Sequence, residues 1–190
     1  PSTSSAASDV YKRQCTKRVR IGMAVYVLPL TNPLRVAEES ASVDQMSGGR
    51  LDFGIGRSGF ARQYKIYNID YSESQARFEE AVTILRKAWS GEKFSHEGQF
   101  FQVTDAQLVP VPVQSPHPPM RMAASSPGTF KKVAAEGLPL FVGLRGDGLE
   151  ELKGNIQAYR KTWNEMGHAD DSSVFLRVPV YAAATKEAAL

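Results

Sequence analysis

The chain has 190 residues, 42% hydrophobic, 23% charged and 9% aromatic, and 23 Lys and Arg against 20 Asp and Glu give a net charge of +3. This composition excludes a disordered chain, a collagen-like repeat and a disulfide scaffold. Cys15 is the one cysteine, which excludes an internal disulfide and a multi-cysteine metal site. The longest apolar run, Met23 to Leu30, is strand-sized, well below the roughly 18 residues of a membrane span. With no segment resembling a signal peptide, a cytoplasmic protein is expected. Lys17-Arg18-Val19-Arg20 is one short basic run among dispersed charges. It reads as a solvated strand entrance, so neither nucleic acid nor a membrane is an expected partner.

Pro1 to Gln14 lacks an initiator Met, is rich in Ser and Ala, and has no helical or strand period. It is expected to be a non-native or disordered leader, with residues 15–190 forming the domain. Val19 to Leu30 is nearly continuous in apolar character, as a strand covered on both faces requires. Asn32-Pro33 opens a helix over Leu34 to Met46, with Leu34, Ala37, Ala41 and Val43 inward and Gly48-Gly49 as the stop. Leu51 to Gly56 reads as a strand. A loop bearing Phe60, Tyr64, Tyr67 and Tyr71 follows it. Ser72 or Ser74 starts a long helix to about Ser90, with Phe78, Val82, Leu85 and Trp89 at three-to-four-residue spacing.

Phe94 to Val103 flanks a His96-Glu97-Gly98-Gln99 turn, a predicted hairpin, and five prolines between Pro110 and Pro119 make an extended connector. Met120 to Ala124 reads as a strand, Ser125-Ser126-Pro127 as the start of a short helix ending at Gly137, and Leu138 to Val142 as a strand. Leu149 to Met166 is a helix with Leu152, Ile156, Tyr159 and Trp163 on one face. Val174 to Ala183 is a strand, and a further helix begins over Lys186 to Leu190. Strands alternating with helices imply parallel pairing and right-handed crossovers. Gly54-Ile55-Gly56-Arg57-Ser58-Gly59 lacks the dinucleotide-binding glycine spacing, which disfavours an open doubly wound sheet. The expectation is an α/β protein, a partial (β/α)8 TIM barrel of about five parallel strands with one inserted hairpin, since a full barrel needs roughly 250 residues.

Two places offer chemistry. Ser125-Ser126-Pro127-Gly128-Thr129 joins a strand's end to a helix start, where free N–H groups, hydroxyls and the helix dipole suit an anion. A plain N-cap by Ser126 would account for the same residues. Arg57 follows a Gly-rich strand end, where it could hold a phosphate bidentately or join a structural ion pair. His96, His117 and His168 fall in turns and a connector, and no metal-ligand spacing is present. The aromatic series Phe60 to Tyr71 fits either a substrate mouth or a packed loop.

Four stretches in order resemble the bacterial luciferase-like flavin monooxygenases: Arg20 to Leu30 with Asn32-Pro33; Asp44 to Arg57; Arg77-Phe78-Glu79-Glu80 with Leu85 and Trp89-Ser90-Gly91; and Pro119 to Pro139. The resemblance implies a barrel binding reduced FMN, or in some branches F420, at the C-terminal strand ends. It assigns phosphate contacts to Arg57, Ser126 and Thr129. Ser125 stands where many members have an acidic residue. The second phosphate arginine aligns with Gln75, and Arg77 is the nearest arginine to it. Ala24-Val25 falls at the family's non-prolyl cis peptide beneath the flavin ring. Gly56 replaces a cysteine of some luciferases and Leu144 an aromatic, so no catalytic side chain is assigned.

The implied activity is a monooxygenase consuming O2 and a small organic substrate, with a separate flavin reductase as partner and a homo-oligomeric parent. An F420-dependent oxidoreductase and a non-catalytic flavin-binding paralogue are the alternatives. The family's first two strands, a histidine-bearing loop after the second, and its C-terminal part have no counterpart here. Residues 15–190 alone are therefore expected neither to fold stably nor to act.

Overall fold

The computed structural model describes residues 16–144, 148–169, 172–178 and 181–185. The expected leader, Cys15 and the helix start at 186–190 lie outside the described residues. The chain divides into two compact units, Pro1–Arg121 and Met122–Leu190.

The first unit opens with β1 (Ile21–Val27), which buries Ile21 and Met23. The apolar run does not stay extended to Leu30, because Pro29 helps turn Leu28–Leu30 into a single 3-10 turn. Helix α1 (Pro33–Ser47) begins where the sequence predicts. The Asn32 side chain accepts from the backbone N–H of Leu34 and of Arg35, and Pro33 is pre-set for the first turn. Gly48, at φ +67°, ends it in the left-handed conformation. The inward face carries Val36, Ala37, Ala41 and Val43; Leu34, expected there, is half-buried, because the 3.6-residue period favours Val36.

Strand β2 (Leu51–Gly56) is buried at all six positions and pairs parallel with β1, from Ile21 opposite Leu51 to Val27 opposite Gly56. Where a plain loop was expected, Ala61–Ile66 forms a short helix, α2, with Tyr64 fully buried while Phe60 and Tyr67 face outward. Asp70 caps a 3-10 turn at Tyr71–Glu73 that leads into α3 (Ser74–Trp89). Phe78, Ala81, Ile84, Leu85, Ala88 and Trp89 form its buried face. Val82, predicted inward, is only half-buried.

The predicted hairpin is β3 (Phe94–Glu97) antiparallel to β4 (Gln102–Ala106). His96 lies within β3 rather than in the turn. The proline connector is fixed by buried Asp44: its carboxylate accepts from the Val113 N–H (2.8 Å), the Gln114 N–H (3.0 Å) and the Gln114 side-chain amide (2.7 Å).

Strand β5 (Met120–Ala123) crosses the unit boundary. In the second unit it pairs parallel with β6 (Leu140–Gly143), which pairs parallel with β7 (Val174–Arg177). The strand order is β1-β2-β5-β6-β7. Helices α4 (Pro127–Ala135) and α5 (Leu149–Glu165) pack together, burying Phe130, Val133, Ala134, Tyr159 and Trp163. Half-buried His168 stacks near Trp163, ring centroids 5.0 Å apart, with Nε2 3.2 Å from the Ala135 carbonyl oxygen. Strand β7 is shorter than the Val174–Ala183 expected; of that stretch, residues 179–180 lie outside the described residues.

Candidate functional site

Arg57 is the first residue beyond β2, so a strand whose every residue is buried fixes its backbone. Its Nη1 donates to Ser74 Oγ at 2.9 Å, and its Cζ lies 5.9 Å from the centroid of the Tyr71 ring. The Tyr64 hydroxyl donates to the Arg57 carbonyl, and the Tyr64 and Tyr71 rings meet edge to face at 5.1 Å. Burial pushes the Tyr64 phenol above its ordinary range. All three supports are neutral. Among the described residues Arg57 makes no ion pair, so its charge is left for another anion.

Arg77 is held differently. Its Nε donates to Glu73 at 2.8 Å and its guanidinium lies 4.5 Å from the Phe100 ring centroid. Its charge is already paired with Glu73 within the start of α3, and its contact with the Phe100 ring reaches the hairpin. Gln75 donates through its side-chain amide to Glu79 at 2.6 Å.

At the start of α4, Ser126 is the N-cap by position, but its side chain caps no backbone N–H. Ser126 Oγ instead lies 2.8 Å from Thr129 Oγ1. A plain N-cap therefore does not account for Ser126. The Thr129 N–H bonds the Ser126 carbonyl, while Ser125, Ser126 and Gly128 are exposed, with open space where a Cβ on Gly128 would lie. The paired hydroxyls, the helix dipole and an accessible glycine suit a phosphate.

The Ala24-Val25 peptide is cis, at the irregularity where the β1–β2 register shifts between Met23 and Tyr26. Gly56 is buried opposite Val27, and Leu144 is half-buried with its N–H on the Arg177 carbonyl. Tyr64 and Tyr71 pack as a pair, so this half of the aromatic series is packed structure and the outward Phe60 and Tyr67 are the half open to a ligand.

The histidines have structural partners. His96 Nε2 is 3.2 Å from a Glu80 carboxylate oxygen, and that carboxylate also accepts the Phe100 and Phe101 N–H groups. His117 stacks near Trp89 at 5.5 Å. Among the described residues no group of three or more His, Cys, Asp or Glu is placed to hold a metal, and no helix is long and apolar enough to cross a membrane.

One cluster has almost no local signature in the sequence. Arg20, expected to be solvated, donates through Nε (2.9 Å) and Nη2 (2.8 Å) to the Asp52 carboxylate, which also receives Arg121 Nη2 at 2.8 Å. These partners are 32 and 69 residues from Asp52. The only signal available was an acidic residue inside an otherwise apolar strand.

Parallel strands joined by helices, with anion-suited groups at the end of β2 and, separately, of β5, define an α/β protein of the (β/α)8-barrel class. More specifically, the luciferase-like monooxygenase family matches residues 11–190, and the chain belongs to that family. It is 31% identical over 150 residues to the oxygenase component of the flavin-dependent trigonelline monooxygenase of Acinetobacter baylyi, covering 75% of this chain and 41% of that protein. The crystal structure of the monooxygenase RslO1 from Streptomyces bottropensis superposes with a TM-score of 0.82 at 26% identity, covering 92% of this chain and 54% of that one. An F420-dependent secondary alcohol dehydrogenase shares the fold, with a TM-score of 0.76 at 22% identity over 93% of this chain and 53% of that one. The chain spans less than half the length of the first curated relatives it matches, 40% to 48%.

Proposed function

We propose that this chain belongs to a flavin-dependent monooxygenase that binds reduced FMN and oxidises a small organic substrate with O2, the reduced flavin coming from a separate reductase. The observation that carries the reading is the family match over residues 11–190. The oxygenase-component relative supports the reductase partner.

The residues present fit FMN in two independent places. Arg57, held by the neutral Ser74 hydroxyl and without an ion pair among the described residues, offers a guanidinium for a phosphomonoester. Ser126 and Thr129 offer hydroxyls at a helix start, with Ser125 beside them. Ala24 supplies a small side chain where a flat ring needs room against the backbone. Arg77 remains a candidate for the phosphate, but it is already paired with Glu73, so Arg57 is the stronger one. Bound reduced flavin supplies the electrons that activate oxygen. The protein's share is to anchor the phosphate, orient the ring and exclude water, so few catalytic side chains are needed.

The test is titration of the full gene product with reduced FMN and with F420, followed by oxygen uptake. FMN binding and oxygen consumption are expected. F420 binding without FMN binding would instead support hydride transfer, since an F420-dependent dehydrogenase shares this fold. Binding of neither, with no oxygen uptake, would refute both.

A further inference from the structure

We infer that Ser74 and Tyr64 are positioning residues for Arg57, aiming its guanidinium at an anionic phosphate without neutralising it; this rests on the phosphate reading of Arg57. An arginine that must bind a ligand anion has two opposed needs. Its long side chain must be ordered before the ligand arrives, or the lost rotamer freedom is subtracted from affinity. Its charge must not be consumed by the group that orders it. A carboxylate meets the first need and defeats the second, as Glu73 does for Arg77.

At Arg57 both needs are met. Ser74, 1% exposed, accepts one Nη1 hydrogen bond with a neutral oxygen, leaving further guanidinium N–H groups for a ligand. Tyr64, with no exposed surface, fixes the Arg57 carbonyl and hence the point from which the side chain departs. Tyr71 supports both, its ring flanked by the guanidinium and by Tyr64. Ser74 is the first residue of α3, so the helix start sets where the guanidinium is held.

The experiment compares the Kd of FMN with that of riboflavin, which lacks the phosphate, in the full gene product. The ratio of the two isolates the phosphate contribution. Arg57→Gln should collapse the FMN preference. Ser74→Ala should lower it about tenfold while leaving riboflavin affinity unchanged, and Ser74→Thr should restore it, because the hydroxyl returns. Tyr64→Phe should lower it about threefold, with the ring packing retained. In the Arg57→Gln background, Ser74→Ala should have no further effect on the ratio. If Arg57→Gln lowers the ratio and Ser74→Ala does not, positioning by Ser74 is wrong and the phosphate reading survives. If Ser74→Ala weakens FMN and riboflavin equally, its role is structural and the inference is overturned. If Arg57→Gln leaves the ratio unchanged, the phosphate reading itself fails.

Discussion

Replacing Asp52 by Ala should destabilise the protein by about 3–5 kcal/mol, the usual consequence of removing one partner from a buried ion pair. Asp52 and Arg121 side chains are each only 10% exposed and meet at 2.8 Å. Without the carboxylate, the Arg121 guanidinium loses this counter-charge in a place water barely reaches. Arg20 makes more hydrogen bonds to the same carboxylate, yet its side chain is 44% exposed. Solvent screens that attraction and can rehydrate the survivor, so Arg20→Ala should cost about 1 kcal/mol or less. The ordering is thus set by burial rather than by the number of hydrogen bonds. Urea unfolding of each variant measures it, read as a shift of midpoint at constant slope. An Asp52→Ala cost below 1 kcal/mol, or an Arg20→Ala cost equal to it, would refute the reasoning.

Other expectations follow from single contacts. A Cβ on Gly98 would lie against the Glu80 carboxylate that holds the hairpin, so Gly98→Ala should cost about 1–3 kcal/mol in urea unfolding; an unchanged midpoint would contradict the latch. Ser126→Ala and Thr129→Ala should each raise the Kd for FMN severalfold and leave that for riboflavin unchanged, measured by flavin fluorescence. Burial, with the Glu39 carboxylate beside it, pushes the Tyr26 phenol up to about 12. Because the folded value exceeds the unfolded value near 10, its stabilisation is complete below pH 10 and is lost as pH rises through about 12. Unfolding midpoints from pH 8 to 11 should fall less for Tyr26→Phe than for the unsubstituted protein.

Local signals were legible in the sequence and long-range ones were not. Asn32-Pro33 and Gly48 bound α1 because capping and left-handed backbone are properties of a few adjacent residues. Leu51 to Gly56 is readable as a strand from its bounds alone, and the fold then buries all six of its residues. Helix α2 was missed because a six-residue helix with one buried position has no apolar period to detect. The sequence places His96 in a turn, because nothing local reveals its partner Glu80, 16 residues earlier on another element. At the site, the strand-end position of Arg57 and the helix start after Ser126 were visible from order alone. What separates Arg57 from Arg77 was not: one meets a neutral hydroxyl 17 residues away, the other a carboxylate one turn back. A composition count treats the two arginines alike, and only the fold decides which charge remains available.

Use of a phosphorylated flavin is the property on which the functional reading turns. The most direct measurement is an anaerobic titration of the full gene product with reduced FMN, with reduced riboflavin as the reference. Saturable FMN binding at least about tenfold tighter than riboflavin binding is expected, the scale of charge-assisted hydrogen bonds to a phosphate. Equal affinity for the two, or no binding of either, would contradict it.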